Sequence, residues 1–348
     1  LGTESIEMAR MFNDWIEAMA AATPGRYVPQ SFRLWTSVAA VGAALRRSAW
    51  YNHGDYICRP NLYVCLVAPP AHGKGVAFTA PYELVMRNLL RPVYGSAHDK
   101  EQSKLIWGTY LNQDGDEPLR MVSGRTTYEK LCRVMNDNKW TVIDAVDREG
   151  EIKDIPQSCM LVKTSEFGVF MTRTDKNLQM LLTEGWDSAS PHEYLTKNMG
   201  EDVLEGPTIS WIAGATPHEF IEHMPYNASK QGLLSRVIPI VKLDAPAVVE
   251  IKHESFDDDL IDKLTWDLAH ISRLKGEFIF SDEAKRVVIP WLAGEQEPKP
   301  TDPMLEGYNG RRFSHLQKLS MCFSAARRDT LVIELEDWNS AYAMLLAA

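Results

Sequence analysis

The sequence predicts an α/β protein built on a parallel sheet, with a helical cap before the sheet and a helical lid after it. Apolar runs without polar alternation recur through the middle of the chain, as is typical of strands that are buried on both faces. Helical stretches separate these runs, which is the order of β-α-β units. The two ends of the chain have mainly helical periodicity. We therefore predict a cap over residues 1–58, a core over 59–253 and a lid over 254–348.

The cap is predicted from two stretches in which apolar side chains recur at helical spacing. The first stretch, residues 4–22, ends before Pro24 and Gly25, which are helix stop signals. The second stretch covers residues 31–47. A short hairpin is predicted around residues 52–54, where Asn, His and Gly lie between two apolar pairs.

The core and the lid contain the other predicted elements. Core strands are predicted at residues 61–67, 158–164, 208–217 and 235–241. Core helices are predicted at residues 76–90, 126–137, 175–186 and 217–224. Lid helices are predicted at residues 257–275, 281–294, 310–328 and 335–348.

Composition and charge restrict the classes of function. The chain has 348 residues, of which 45% are hydrophobic, so disorder as a bulk property is excluded. Its 37 basic and 47 acidic residues give a net charge of −10, which excludes a basic surface that coats nucleic acid. Contact with nucleic acid would have to be confined to a small cluster of Lys and Arg.

Targeting and cysteine patterns point to the cytoplasm. No apolar run reaches the length of about 18 residues that a transmembrane helix needs, and no basic region precedes an apolar stretch at the N-terminus, as in a signal peptide. The five cysteines are scattered and form no Cys-x-x-Cys pair, which argues against a zinc site or a disulfide framework. We expect a cytoplasmic protein with reduced thiols and no membrane association.

A phosphate-binding loop is the strongest candidate for a functional motif. Residues 68–75 follow a predicted strand, precede a predicted helix and contain the pair Gly73-Lys74. The usual pattern, Gly-x-x-x-x-Gly-Lys-Ser/Thr, points backbone N–H groups and a lysine at phosphate, and its hydroxyl binds Mg²⁺. Here Ala68 replaces the first glycine and Gly75 replaces the Ser/Thr. The alternative is a tight turn with a solvated lysine.

Seven residues of this loop are predicted to bind the nucleotide. Among them, His72 would either bond to phosphate or only cap the loop. The small residues are needed so that the backbone comes close to the phosphates. The seven residues are Pro70, Ala71, His72, Gly73, Lys74, Gly75 and Val76.

Two further polar positions follow predicted core strands. In ATPases with such a loop, a strand ends in an acidic pair, one member near the metal and the other polarising the attacking water. The strand at 158–164 ends in Ser165-Glu166, so Glu166 is the predicted catalytic acid, and Ser165 would contact the metal only through water. Thr216 follows the next strand and is predicted to sense the γ-phosphate. The alternatives are an ordinary strand end and a turn with Pro217 at the helix start.

Basic residues in the rest of the chain suggest further roles. Arg236, at the start of a predicted strand, is a candidate arginine finger that would reach the nucleotide of a neighbouring subunit. On a predicted lid helix, Arg312 and Lys318 compete for contact with the phosphates. Arg173 and Lys176 are the candidates for DNA contact. For each of these residues the alternative is a solvated charge on an ordinary helix or surface.

Taken in order, these motifs resemble a family of phage and mobile-element P-loop ATPases, catalogued as a domain of unknown function and often found beside primase modules. The resemblance covers most of the chain. The segment 233–236 and the helix of Lys318 also look like the arginine finger and lid of minichromosome-maintenance-type AAA+ helicases. The segments that carry the resemblance are 12–16, 59–63 leading into Pro69-Pro70, 165–168, 214–217, 232–236 and 315–319.

The resemblance implies a P-loop NTPase core, AAA+-like or RecA-like, that binds ATP and Mg²⁺. It implies a homo-oligomer, a hexameric ring, that acts as an ATP-dependent helicase or translocase on single- or double-stranded DNA, with a primase or another replisome protein as partner. Carried over by position, Lys74 binds phosphate and Glu166 is catalytic. In the same way Thr216 is the sensor, Arg236 is the finger, and Arg312 or Lys318 is the lid sensor.

Two other functions fit the sequence. Gly75 and Ser165 depart from the P-loop pattern at metal-linked positions, which weakens the case for hydrolysis more than the case for binding. The first alternative is therefore an ATP-binding scaffold or helicase loader with little or no hydrolysis. The second is a phage DNA-packaging or assembly ATPase, against which stands the absence of a recognisable nuclease cluster of Asp and Glu.

Overall fold

The structure is a computed structural model. The residues that it describes are 9–23, 28–86, 120–124, 126–171, 174–188, 191–196, 200–223, 232–244, 256–294, 299, 301–302 and 305–348. The helices are α1 (Trp15–Ala22), α2 (Gln30–Leu45), α3 (Lys74–Phe78, continued as a π-helix over Thr79–Met86), α4 (Tyr128–Asp137), α5 (Phe167–Phe170), α6 (Lys176–Asp187), α7 (Pro217–His223), α8 (Asp258–Ile271), α9 (Asp282–Ala293), α10 (Glu306–Asn309), α11 (Arg312–Arg327) and α12 (Leu335–Leu346). The strands are β1 (Ala49–Asn52), β2 (Ile57–Cys58), β3 (Tyr63–Val67), β4 (Arg120–Ser123), β5 (Lys139–Val146), β6 (Ile152–Thr164), β7 (His192–Thr196), β8 (Gly200–Leu204), β9 (Pro207–Ala215), β10 (Val237–Val241), β11 (Gly276–Phe280) and β12 (Val332–Ile333).

A mostly parallel sheet forms the centre of the described structure. Its strands lie in the order β10-β3-β9-β6-β4 and are parallel, and β5 pairs with β6 in the antiparallel direction. β7 and β8 form a separate antiparallel hairpin. The predicted α/β fold with a parallel sheet is therefore confirmed.

The side chains of β3 alternate between two apolar layers. Val64 and Leu66 belong to a cluster that includes residues of α2 and α11. Tyr63, Cys65 and Val67 belong to a second cluster, formed with residues of α4, α5 and α6. Because both faces of the strand are covered, every position has to be apolar, and this accounts for the continuous apolar run in the sequence.

The predicted cap and lid contribute strands to one second sheet, which has the order β12-β11-β1-β2. β1 is parallel to β11, with Ala49 opposite Gly276. The carboxylate of Asp267 on α8 also joins the two segments, because it accepts hydrogen bonds from the N–H groups of Met11 at 2.8 Å and Phe12 at 2.9 Å. The hairpin predicted around residues 52–54 is present as β1 and β2. The pairing of β1 with β11 joins segments distant in the chain and leaves no local pattern, so periodicity did not reveal it.

Two helices differ from the predicted ranges. α1 begins at Trp15 because the side chain of Asp14 caps it and accepts a hydrogen bond from Glu17 N at 3.1 Å. The helix predicted over residues 76–90 begins earlier, at Lys74, and changes to π geometry over its later part. Pro81 lies in that part and has no N–H to donate to the α-helical ladder.

Candidate functional site

Three of the predicted site segments lie at one edge of the central sheet. β3, β9 and β6 are adjacent and parallel, and their register places Val67 opposite Ala215 and Ala213 opposite Thr164. Their carboxyl ends therefore meet, and ligands of open α/β sheets bind outside such ends. The segments at this carboxyl edge are 68–74, 165–168 and 216–219.

The loop after β3 turns sharply before α3. Ala71 and Gly73 have positive φ angles of 62° and 75°, and Gly73 is the residue that precedes the first turn of α3. His72 Nδ1 lies 2.9 Å from Pro70 O, so in this structure the ring caps the loop, one of the two roles predicted for it. Pro70 and Ala71 are exposed, and Val76 is half-buried. The loop therefore presents its backbone to the space above the sheet.

Lys74 is folded back onto this loop. Its Nζ donates hydrogen bonds to Ala68 O at 2.5 Å and to Pro69 O at 2.8 Å. Partial burial lowers the pKa of Lys74, and the carboxylate of Glu219 opposes this effect. A phosphate that entered the loop would replace two neutral acceptors with a charged one, which makes a stronger hydrogen bond.

Gly75 leaves space where the usual motif has a hydroxyl group. A Cβ atom at Gly75 would meet no other atom within 4 Å. Packing therefore does not require glycine at this position. A serine or threonine side chain would fit there, directly after Lys74.

Ser165 and Glu166 follow β6 and are both exposed. Glu166 precedes the first turn of α5, but its side chain does not cap that helix. The backbone of this segment is held close to β9, since a Cβ on Gly214 would lie only 2.9 Å from Ser165 O. The Glu166 carboxylate is thus attached to a fixed backbone at the carboxyl edge.

Thr216 precedes α7 and forms a capping box with Glu219. Thr216 Oγ1 accepts from Glu219 N at 3.2 Å, and Glu219 Oε2 accepts from Thr216 N at 3.3 Å. The Thr216 hydroxyl acts here as an acceptor and keeps its own proton available for donation. Glu219 was not among the predicted site residues, although Thr-x-x-Glu is the sequence signature of a capping box.

Arg236 lies at the opposite end of the sheet strands, where β10 begins, and is buried. Its Nη2 lies 2.5 Å from Asp187 Oδ2, its Nη1 donates to Gly232 O at 2.5 Å, and its guanidinium is 5.6 Å from the ring centre of Trp186. An arginine finger has to be presented to a neighbouring subunit. The structure places Arg236 in an ion pair within its own chain, and its role toward a neighbouring subunit stays a prediction.

Lys318 also lies away from the carboxyl edge. It is buried, and its Nζ donates to Arg59 O at 2.8 Å, Asn61 Oδ1 at 2.8 Å and Trp186 O at 3.1 Å. Arg59 and Asn61 precede β3, whereas Lys74 follows it, and a strand of five residues spans about 16 Å. In this arrangement Lys318 does not reach the nucleotide loop of its own chain, and its role as lid sensor stays a prediction.

Of the other predicted basic residues, the structure describes Arg312 and Lys176. Arg312 is buried at the start of α11, with its guanidinium 5.8 Å from the ring centre of Trp291. Its role as lid sensor also stays a prediction. Lys176 is exposed at the start of α6, as a residue that contacts DNA must be. Arg173 lies outside the described residues.

The described residues of the carboxyl edge offer few side chains that could hold a metal ion. Within the described residues, no group of three or more His, Cys, Asp or Glu side chains could hold a metal. Gly75 has no side-chain oxygen, and Ser165 has a hydroxyl where a carboxylate is usual. Mg²⁺ is commonly held by one or two carboxylates together with substrate phosphates. Glu166 with the phosphates of ATP would be such a set.

Comparisons with known proteins leave the family open. No protein family matches the sequence, and no curated protein matches it either. In the part of the chain that the structure describes, no helix combines the length and apolar character needed to cross a membrane.

We predict that Gly75→Ser strengthens Mg²⁺-dependent nucleotide binding without disturbing the fold. The added hydroxyl has room, and serine is about 0.5 kcal/mol more favourable than glycine inside a helix. Titration with a fluorescent ATP analogue, with and without Mg²⁺, measures the affinity. Gly75→Ala, which lacks the hydroxyl, is the control. Equal affinity of the Ser and Ala variants in Mg²⁺ would contradict this prediction.

A second prediction concerns pH and Lys318. Burial lowers the pKa of Lys318 from its ordinary 10.5 to about 8. Between these values the unfolded chain binds more protons than the folded one, so this residue makes the folded state more stable as pH rises. The free energy of unfolding by urea should therefore increase from about pH 7.5 to about pH 10 relative to Lys318→Met. Tyr and Cys groups titrate in both proteins, and the difference isolates Lys318. A difference independent of pH would contradict this assignment.

Proposed function

We propose that this chain binds ATP at the carboxyl edge of its central sheet and hydrolyses it as a DNA helicase or translocase of phage or mobile-element replication. The observation that carries the proposal is the convergence of Lys74, Glu166 and Thr216 at the ends of three adjacent parallel strands. A phosphate-binding lysine, a carboxylate and a hydroxyl are the groups that phosphoryl transfer to water requires.

The order of the strands supports an AAA+-like or RecA-like core. Counted along the chain, the parallel strands β3, β4, β6, β9 and β10 are the first to the fifth, and they lie in the sheet as 5-1-4-3-2. The strand before the phosphate loop is therefore central. The strand before Thr216 lies next to it, and the strand before Glu166 follows. A mostly parallel sheet of this kind is compatible with the proposed P-loop core.

Each group has a distinct task in the proposed reaction. Lys74 would exchange its bonds to Ala68 O and Pro69 O for the β- and γ-phosphates, at the N-terminus of α3 where backbone N–H groups also favour anions. Glu166 would polarise the attacking water, and Thr216 would donate its hydroxyl proton to the γ-phosphate or that water. These tasks use residues of one chain.

The action on DNA is proposed from the sequence resemblance. The net charge of −10 restricts DNA contact to a small basic surface, such as a ring pore, and the exposed Lys176 is a candidate for it. Such a surface would bind DNA weakly and with a small salt dependence, since few phosphates are neutralised.

An ATP-binding scaffold or helicase loader is the second candidate function. Gly75 and Ser165 favour it, because both lack a metal-binding group that hydrolysis by P-loop enzymes normally uses. The two functions differ in turnover. A loader would bind ATP tightly and hydrolyse almost none of it, whereas a motor would hydrolyse ATP faster when DNA is present.

We predict that Lys74→Ala weakens ATP binding by tenfold or more, because a hydrogen bond to a charged group contributes about 1.5–3 kcal/mol. The affinity is measured by calorimetry, and turnover by phosphate release with and without single-stranded DNA. Lys242→Ala is the matched control, since Lys242 follows β10 at the same end of the sheet but pairs with Asp244 at 3.3 Å.

ATP binding and turnover together distinguish the motor from the loader. Turnover that rises with DNA and is lost in Lys74→Ala supports the motor. Binding that depends on Lys74 without turnover supports the loader. No ATP binding by the wild type, or equal binding by both variants and the wild type, would contradict the site itself.

A further inference from the structure

We infer that Glu219 is a positioning residue of the proposed ATPase site, where its carboxylate joins the Glu166 segment to the Thr216 segment. This inference rests on the proposed function. Glu219 belongs to none of the P-loop motifs described above. The bonds of the carboxylate, the packing around it and its charge support this role.

Both oxygens of Glu219 are used, and they bind different elements. Oε2 accepts from Thr216 N at 3.3 Å, which is the ordinary bond of a capping box. Oε1 accepts from Gly168 N at 2.7 Å. Gly168 lies in α5, two residues after Glu166. One side chain therefore links the backbones that follow β6 and β9, which carry the proposed catalytic acid and sensor.

Packing holds the two segments together around this link. The rings of Phe167 on α5 and Phe220 on α7 are 5.4 Å apart. A Cβ atom on Gly168 would lie 2.4 Å from Cδ2 of His223, so α5 and α7 approach each other as closely as glycine allows. A change in the bonds of Glu219 would therefore be transmitted to the backbone beside Glu166 instead of being absorbed by loose packing.

Charge connects Glu219 to the phosphate loop. Its carboxylate is the largest influence that raises the pKa of Lys74 against the effect of burial. The phosphate loop also lies beside the Thr216 segment that Glu219 binds, because Ala68 N donates to Ala215 O at 3.1 Å. A phosphate bound by Lys74 brings negative charge toward Glu219, so loop occupancy acts on the bonds that orient Glu166 and Thr216. The carboxylate thus couples nucleotide binding to the position of the groups that act on water.

The test separates positioning from binding. In Glu219→Gln one oxygen still accepts, but the amide N–H₂ faces a backbone donor, so one of the two bonds is lost. We expect kcat for ATP to fall about tenfold, the effect of one charged hydrogen bond, while the Kd for ATP changes less than about threefold. The control is Glu222→Gln on the same helix, whose side chain is 57% exposed and pairs with His218 at 3.3 Å. This control should keep the wild-type kcat.

A second measurement uses the wild-type chain and does not depend on the folding of a variant. Binding of a non-hydrolysable ATP analogue should change the hydrogen exchange of the Gly168 and Thr216 amides, both of which donate to Glu219. Unchanged exchange at both amides in the bound state would overturn the inference, as would a wild-type kcat in Glu219→Gln.

Different results would contradict the positioning role of Glu219 and the proposed ATPase function. A wild-type chain that binds no ATP overturns both. A wild-type chain that binds ATP without turnover overturns the positioning role and leaves the nucleotide site in place. A parallel loss of kcat and ATP affinity in Glu219→Gln also overturns the positioning role, because it would show that the residue supports the loop or the fold as a whole.

Discussion

The parallel register of β3, β9 and β6 is the constraint on which the rest of the arrangement depends. These strands end at nearly the same level, so three chain segments far apart in sequence come together at one edge. The close approach of Gly214 to Ser165 O holds two of these ends in contact. Glu219 then bridges the same two segments by hydrogen bonds. The proposed chemistry thus follows from strand pairing, and each site group is attached to backbone that the sheet has already placed.

Residues at the amino ends of the strands join the core to the C-terminal helices. Trp186, at the end of α6, is surrounded by three cations, with Lys318 Nζ 4.2 Å, the Arg311 guanidinium 5.4 Å and the Arg236 guanidinium 5.6 Å from its ring centre. Asp187 pairs with both arginines. The Lys318 ammonium instead donates hydrogen bonds to two backbone carbonyls and to the side-chain oxygen of Asn61, and such partners offset the cost of burying a charge. The basic residues of this end therefore stabilise the fold, and the proposed reaction does not use them.

The sequence predicted well those features that local patterns determine. Continuous apolar runs identified β3 and β9, and the pair Gly73-Lys74 after such a run identified the loop at the carboxyl edge. The burial of Arg236 and Lys318 was not predicted, because a sequence shows which residues are charged but not which charges are buried among polar partners. The pairing of β1 with β11 was missed because its partners are distant along the chain. Glu219 was missed for a different reason: its capping signature was present, but its second bond, to Gly168, is a tertiary contact.

The most direct test of the central claim is a crystal structure of the chain with a non-hydrolysable ATP analogue and Mg²⁺. We expect the analogue to lie at the carboxyl edge. We also expect Lys74 Nζ to have left Ala68 O and Pro69 O and to bind the phosphates of the analogue. Glu166 and Thr216 should face the γ-phosphate. An analogue bound at the amino ends of the strands, or Lys74 still bonded to its own loop beside a bound analogue, would contradict the account.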